Sequence, residues 1–193
     1  DEAAKTAAKA RCINSGQSCI AAKRFIVHKD IAARFTEIFV EEMKAMKVGD
    51  PFERDTNIGP MAREDLRDEL HEQVRKSVQM GAKLLLGGEL PGGKGFYYPP
   101  TVLTDAPADS PVRKEETFGP VAVIISFTSE QEAVDIANET EFGLGAALWT
   151  NDKAKAKELT ASIDSGCVFI NGLVKSDPRL PFGGVKKSGN GYP

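Results

Sequence analysis

Val121-Ala122-Val123-Ile124-Ile125-Ser126-Phe127 is a seven-residue run in which only Ser126 is polar. A strand of this composition is typical of a sheet whose two faces are both covered, as those of parallel sheets are. Directly after it, Ser129 and Glu132 have the spacing of a capping box and predict the start of a helix. A strand that leads at once into a helix is the unit from which α/β folds are built.

The alternation of strand and helix extends in both directions along the chain. Short apolar runs predict strands at 25–28, 82–86, 145–150 and 168–171. Helix propensity and helical spacing predict helices at 1–12, from Asp30 to about 46, 62–80, 130–138 and 153–161. The predicted fold class is therefore α/β, an open, twisted, mostly parallel sheet flanked by helices.

The sequence also predicts where the second helix begins, which of its faces is buried, and where residues 96–103 lie in the sheet. Asp30 is the expected N-cap of the second helix. The apolar face of that helix is expected to comprise Ile31, Phe35, Ile38, Phe39 and Met43. Residues 96–103 are expected to be extended, and Pro99-Pro100 favours an edge position because proline cannot donate a hydrogen bond to a neighbouring strand.

Composition narrows the class of protein. The 193 residues have a net charge of −3, with 41% hydrophobic and 27% charged residues, which is typical of a soluble globular domain. No lysine–arginine stripe is present, which argues against nucleic acid as a partner, and no apolar run is long enough for a membrane partner. The three cysteines lack paired spacing, which argues against a disulfide framework or a zinc site and for a reducing, cytoplasmic compartment.

Asn14-Ser15-Gly16-Gln17-Ser18-Cys19 interrupts the regular structure between the first helix and the first strand. Gly16 permits a backbone turn that most residues would resist. The following residues, 20–24, are predicted to form one helical turn that places Cys19 near a helix N-terminus, where free N–H groups favour a thiolate. Such a thiol suits nucleophilic catalysis. The alternative is that Cys19 is a small buried residue whose reactivity is not used.

Two other strings could present side chains to a ligand. In Glu115-Glu116-Thr117-Phe118-Gly119-Pro120, a carboxylate could accept hydrogen bonds from a ribose diol, and the ring could pack on a flat heterocycle. In Pro181-Phe182-Gly183-Gly184, the glycines allow close backbone approach. Each string also fits a plain structural turn. No glycine-rich phosphate loop is recognisable.

Taken together, three strings resemble the aldehyde dehydrogenase superfamily. The cysteine string, the 115–120 string and Pro181-Phe182-Gly183-Gly184-Val185-Lys186-Lys187-Ser188-Gly189 occur there in this order and at about these separations. The resemblance covers the whole chain. Within the family, it is strongest to the bacterial succinate-semialdehyde dehydrogenases, chiefly through Phe169-Ile170-Asn171-Gly172-Leu173-Val174-Lys175-Ser176-Asp177-Pro178-Arg179.

The resemblance implies roles for four side chains. Cys19 is implied as the nucleophile that attacks a small aldehyde, with its backbone N–H as one half of the oxyanion hole. Glu116 is implied to hold the nicotinamide-side ribose of NAD or NADP, and Phe118 to pack beside the nicotinamide. Ser176 is implied to hydrogen-bond a carboxylate at the tail of the aldehyde. No metal is implied.

The resemblance also predicts what lies outside these residues. Residues 1–193 are expected to be the catalytic domain of a longer, homo-oligomeric enzyme. The general-base glutamate, the asparagine that completes the oxyanion hole, the dinucleotide-binding domain and a C-terminal oligomerisation tail are all expected elsewhere. The isolated domain is therefore expected to show no turnover, and the choice between NAD and NADP stays open.

Two alternatives concern the remaining cysteines and the histidines. A cysteine hydrolase would need His28 or His71 beside Cys19, and nothing in the sequence brings them together. Cys12 and Cys167 are expected to be packed or half-packed thiols. A disulfide bond between Cys12 and Cys19 would silence the nucleophile, and the sequence leaves that possibility open.

Overall fold

The computed structural model describes residues 1–190, in which six α-helices and eight strands form. The helices are α1 (Glu2–Arg11), α2 (Lys29–Lys44), α3 (Glu64–Gln79), α4 (Pro111–Lys114), α5 (Glu130–Asn138) and α6 (Lys153–Ser162). The strands are β1 (Arg24–His28), β2 (Lys83–Leu86), β3 (Thr101–Thr104), β4 (Val121–Phe127), β5 (Phe142–Gly143), β6 (Gly145–Leu148), β7 (Cys167–Ile170) and β8 (Val185–Lys186). Among these helices, none is long and apolar enough to cross a membrane.

The main sheet has four strands in the order β1-β4-β3-β2. Strands β1 and β3 both pair parallel with β4, and β2 is an antiparallel edge strand. Two small sheets stand apart from it, a parallel pair of β6 and β7 and an antiparallel pair of β5 and β8. The predicted α/β class with mostly parallel pairing is confirmed.

Strand β4 is central, and its side chains alternate between two hydrophobic clusters. Val121, Val123 and Ile125 pack on one face with residues of α3 and α4, including Leu70 and Val112. The opposite face carries Ala122 and Ile124, which pack against α1 and α2. Because every residue from Val121 to Ile125 is buried, the prediction of a strand covered on both faces is confirmed.

The predicted cap of α2 is wrong. The helix begins at Lys29, and the imidazole Nδ1 of His28 accepts the hydrogen bond from the Asp30 backbone N–H at 3.3 Å. Since His28 already occupies the cap, Asp30 lies within the first turn of the helix. Of the predicted buried face, Ile38, Phe39 and Met43 are buried, whereas Ile31 is 59% exposed.

The predicted edge position of residues 96–103 is also wrong, because β3 lies inside the sheet between β4 and β2. The strand starts only at Thr101, whose N–H donates to the Pro120 carbonyl at 2.8 Å. Pro99 and Pro100 therefore precede the paired residues, and their missing N–H groups remove no hydrogen bond from the ladder.

Candidate active site at the Cys19 turn

The turn that leads to Cys19 has an unusual backbone. Asn14, Ser15 and Gly16 have φ angles of 50°, 56° and 74°, so three consecutive residues lie in the left-handed region. At Gly16 a side chain is also excluded by space, because a Cβ atom there would lie 2.2 Å from the carbonyl oxygen of Gly119. The predicted turn at Gly16 is confirmed, and it packs directly against the 115–120 loop.

Side chains hold this turn in place. The Arg11 Nη2 donates to the Gly16 carbonyl at 2.7 Å. The Ser15 hydroxyl accepts from the Gly59 N–H at 3.0 Å, and the Gln17 Oε1 accepts from the Ala62 N–H at 2.8 Å. The turn is thus tied both to α1 and to the loop before α3. The sequence strings include Ser15 and Gln17 but gave no sign that these two side chains fix the turn.

The Cys19 side chain is exposed, but not at a helix N-terminus as predicted. Residues 18–21 form a single turn closed by the Ala21 N–H and the Ser18 carbonyl at 3.0 Å, and β1 begins at Arg24. Strand pairing takes the backbone groups a helix would need, since the Lys23 carbonyl accepts from the Val123 N–H. Within residues 1–190, the Cys19 backbone N–H donates to no protein acceptor.

Lys23 brings two of the predicted site residues together. Its Nζ lies 3.3 Å from the Cys19 carbonyl oxygen and 3.1 Å from the Glu116 Oε1. Burial lowers the pKa of Lys23, and Glu116 acts against that shift. The Glu116 side chain is 41% exposed, so its carboxylate keeps a face toward solvent. The pairing of Lys23 with Glu116 joins residues 93 positions apart in the chain, and none of the sequence strings indicates it.

The 115–120 loop is held in place by hydrogen bonds from α3. The Gln73 Nε2 donates to the Glu115 Oε2 at 2.9 Å and to the Glu116 carbonyl at 3.3 Å. Thr117 is buried and Phe118 half-buried. The loop is therefore held against α3 through Gln73, a residue that none of the sequence strings includes.

Arg11 lies behind the turn with its side chain fully buried. Beyond the bond to Gly16, its Nε and Nη1 have no hydrogen-bond partner among the described residues. Burial lowers the pKa of Arg11 to about 10, and the field of Glu116 opposes that change. The site thus contains two cations that are largely removed from water, Arg11 and Lys23.

Ser176 makes no direct polar contact with the cysteine turn among the described residues, and its role stays a prediction. It is exposed in the loop after β7, and no hydrogen bond or ion pair within residues 1–190 joins it to the cysteine turn. The glycines of the 181–189 string serve a tight turn, since a Cβ on Gly184 would lie 2.5 Å from the Ser188 carbonyl oxygen. The Ser188 hydroxyl accepts from the Gly143 N–H at 3.1 Å.

The other cysteines are packed, as predicted. Cys12 is buried with its Sγ 3.4 Å from the Met43 Sδ, and burial raises the pKa of its thiol to about 12. Cys167 is half-buried, and burial raises its pKa too. All three thiols, including that of Cys19, are free.

Neither histidine is beside Cys19. The His28 imidazole caps α2 and packs edge-on against Phe127, and His71 Nδ1 lies 3.4 Å from the Tyr98 hydroxyl. Each imidazole therefore has a local structural partner. The cysteine–histidine alternative gains no geometric support in the part of the chain that the structure describes.

Similar proteins of known sequence and of known structure point to the same family. The NADP+-dependent succinate-semialdehyde dehydrogenase of Mycobacterium avium is 53% identical over 191 residues, which are 99% of this chain and 40% of that protein. The NAD(P)+-dependent succinate semialdehyde dehydrogenase of Escherichia coli is 51% identical over 98% of this chain and 41% of that protein. The succinic semialdehyde dehydrogenase of Streptococcus pyogenes, solved with NADP+, superposes with a TM-score of 0.94 at 36% identity, covering 99% of this chain and 42% of that one.

The matches cover nearly all of this chain but less than half of each relative. The chain spans about two-fifths of the length of the curated relatives that it matches. The sequence profile of the Aldehyde dehydrogenase family, in contrast, matches residues 1–193, the whole of the chain. The resemblance found in the three strings is therefore confirmed, and the chain belongs to the aldehyde dehydrogenase family.

Proposed function

We propose that this chain supplies the catalytic domain of an NAD(P)-dependent aldehyde dehydrogenase, with Cys19 as the nucleophile. The observation that carries the proposal is the Cys19 turn itself. An exposed thiol stands on a backbone that tertiary hydrogen bonds fix, and the Lys23 ammonium group joins the Cys19 carbonyl oxygen to the Glu116 carboxylate. Fixed positioning of a nucleophile relative to a ligand-binding carboxylate is what a two-substrate reaction requires.

The residues present fit the nicotinamide half of a dinucleotide. Glu116 shares Oε1 with Lys23, and a carboxylate has further acceptor capacity for a ribose diol. Phe118 is half-buried two residues on and presents an aromatic surface at the same loop. NAD(P)+, when bound, supplies the acceptor for the hydride that leaves the substrate.

Cys19 would carry the bond changes. Its thiolate adds to the aldehyde carbon and forms a thiohemiacetal, whose oxyanion the free Cys19 backbone N–H can meet. A donor of this kind contributes about 3 kcal/mol to the stabilisation of such an oxyanion. After oxidation the carbonyl carbon is held as a thioester. Addition of water then releases the carboxylic acid and restores the thiolate.

We further propose succinate semialdehyde as the substrate and Ser176 as a contact for its carboxylate. The relatives described above support this substrate, since they are succinate-semialdehyde dehydrogenases. For Ser176, the support is its exposed hydroxyl within a loop that resembles theirs. A cytoplasmic location and a homo-oligomeric parent stay predictions.

The chain taken by itself is proposed to lack steady-state turnover. By the family pattern, the water-activating glutamate, the oxyanion asparagine and the dinucleotide-binding domain belong to other residues of a longer enzyme. Incubating the purified 193-residue chain with aldehyde and NAD(P)+ should therefore give no NAD(P)H. Continuous NAD(P)H formation would contradict the proposal that essential catalytic groups lie outside this chain.

Replacing the nucleophile in the full-length enzyme that carries this chain tests the main proposal. Cys19→Ser should lower kcat by about 10³-fold or more, because the alkoxide equivalent is hard to form and the thioester route is lost. Cys167→Ser, which changes a half-buried thiol away from the turn, serves as the matched control. Turnover that survives in the Cys19 variant and falls only in the control would overturn the assignment.

The substrate contact has its own test. Ser176→Ala should raise KM for succinate semialdehyde by roughly 10- to 150-fold, since one hydrogen bond to a charged group contributes about 1.5–3 kcal/mol. Butanal, which has the same chain length without the carboxylate, should be oxidised equally by both forms. An equal loss on both aldehydes would show that Ser176 does not read the carboxylate.

A further inference from the structure

Lys23 lies on the four-residue path from Cys19 to β1, and its side chain is only 20% exposed. Its backbone is fixed, since its carbonyl accepts from the Val123 N–H of β4 at 3.2 Å. The neighbouring Arg24 is turned toward α5, where its guanidinium donates to the Ile136 and Ala137 carbonyls. Lys23 is therefore the cation that this segment directs toward the cysteine turn.

The ammonium group has three N–H donors and three acceptors around it. Two acceptors belong to the cysteine turn, the carbonyl oxygens of Cys19 and Ala21, each 3.3 Å from Nζ. The third is the Glu116 Oε1 at 3.1 Å, from the loop before β4. One side chain thus joins the backbone that carries the nucleophile to the carboxylate assigned to the ribose.

This arrangement restricts Glu116. A carboxylate with 41% of its side chain exposed would otherwise sample several rotamers, and fixing them on binding would cost entropy. The pairing with a largely buried ammonium is less screened than a surface ion pair. Since the Cys19 and Ala21 carbonyls hold the same ammonium, the position of Glu116 follows the position of the cysteine turn.

We infer that Lys23 is a positioning residue. It holds the Glu116 carboxylate in the position that binds the cofactor ribose and fixes the distance of that carboxylate from the Cys19 turn. The inference rests on the proposed function, because it takes Glu116 as the ribose contact. Lys23 does not touch the reacting atoms. It acts through Glu116, with Oε1 on the ammonium and the remaining acceptor sites left for the diol.

A double-mutant cycle in the full-length enzyme tests the inference by cofactor binding, measured as a dissociation constant for NADP+ and for NAD+. Lys23→Met should weaken binding roughly 10-fold, the value of a charge-assisted hydrogen bond. Glu116→Gln should weaken it as well. The double variant should be no weaker than Glu116→Gln alone, because Lys23 acts through that carboxylate.

Lys9→Met is the matched control, since it removes the same charge from an exposed site on α1. It should leave cofactor binding unchanged. An unchanged dissociation constant in Lys23→Met, or additive losses in the double variant, would overturn the inference. Cys19→Ala should keep cofactor affinity, so failure of the nucleophile assignment would be seen separately, in turnover.

A second measurement avoids any loss of folding in Lys23→Met. Exposed Glu116 can be changed to Gln at little risk to the core, and acetic anhydride then labels lysines according to their accessibility. In the wild type, Lys23 should be labelled more slowly than Lys9. In Glu116→Gln, labelling of Lys23 should rise severalfold relative to Lys9, and an unchanged ratio would also overturn the inference.

Discussion

Gly16→Ala should destabilise the chain far more than an alanine in a turn normally does. The left-handed φ of 74° costs an alanine about 1–2 kcal/mol relative to glycine. The new Cβ would also lie 2.2 Å from the Gly119 carbonyl oxygen, which is backbone and cannot rotate away. Overpacking of this kind adds about 1–3 kcal/mol, so the free energy of unfolding should fall by about 2–5 kcal/mol in total.

Two other glycines separate the contributions. Gly81 has a φ of 115° with no heavy atom within 4 Å of its built Cβ, so Gly81→Ala reports backbone strain alone, about 1–2 kcal/mol. Gly92 has neither a positive φ nor a near neighbour, so Gly92→Ala should change stability by at most about 0.5 kcal/mol. Urea unfolding of the 193-residue chain measures all three.

Amide hydrogen exchange shows which hydrogen bonds the Gly16→Ala substitution weakens. The Gly119 carbonyl accepts from the Val121 N–H at 2.8 Å, and the adjacent Pro120 carbonyl accepts from the Thr101 N–H. Displacing Gly119 should therefore speed amide exchange at Val121 and Thr101 in Gly16→Ala beyond the change expected from global stability. If Gly16→Ala were no less stable than Gly81→Ala, with unchanged exchange at Val121, the close packing of the two loops would be refuted.

Two further predictions concern buried ionisable groups. Burial raises the pKa of Cys12 from 9.0 to about 12, so its stabilising contribution is complete below pH 9 and is lost as pH rises toward 12, at up to about 1.4 kcal/mol per pH unit. Cys12→Ala should remove that slope between pH 8 and 10.5 in urea unfolding, and an unchanged slope would contradict the assignment. Glu139 pairs with Arg113 at 2.7 Å and Arg24 at 3.7 Å, all with side chains 20% exposed or less, so Glu139→Gln should cost about 1–3 kcal/mol. Glu37→Gln, in an exposed pair, should cost at most about 0.5 kcal/mol, and equal costs would show that burial does not matter here.

The fold was predictable where one residue pattern had one physical meaning. The apolar run 121–127 predicts a strand covered on both faces, and residues 121–125 of that strand are all buried. Prediction failed where two local structures competed. Residues 20–24 had enough helix propensity for a turn, but pairing of Arg24 with Val123 in the sheet took precedence. His28 displaced Asp30 as the cap because strand β1 ends with its imidazole beside that N–H.

The residues of the candidate site also fall into those that the sequence predicted and those that it did not. Cys19 and Glu116 could be proposed from the sequence because each lies in a string that resembles a family pattern. Lys23, Arg11 and Gln73 could not, since their roles come from contacts between segments that are distant in the chain. Among lysines or arginines, only the fold decides which one is buried against a carbonyl or a carboxylate.

The left-handed turn explains why these unpredicted residues are needed. A helix would satisfy its own backbone, but it would also continue α1 and carry Cys19 along a regular surface. Reversing the chain within 14–16 leaves two non-glycine residues in a conformation that costs each about 1 kcal/mol. Hydrogen bonds from outside the turn must then offset that cost.

Those hydrogen bonds are donated by the Arg11 side chain to the Gly16 carbonyl and by the Gly59 and Ala62 N–H groups to the Ser15 and Gln17 side chains, and they join the turn to α1 and to residues 59–62. Gly16 adds backbone contact with the 115–120 loop. Because the conformation depends on three separate segments, the cysteine is presented only when all of them are folded together. A Cys19 loop with fewer tertiary ties would relax toward ordinary φ angles, and the spacing between Cys19 and Glu116 that Lys23 spans would be lost with it.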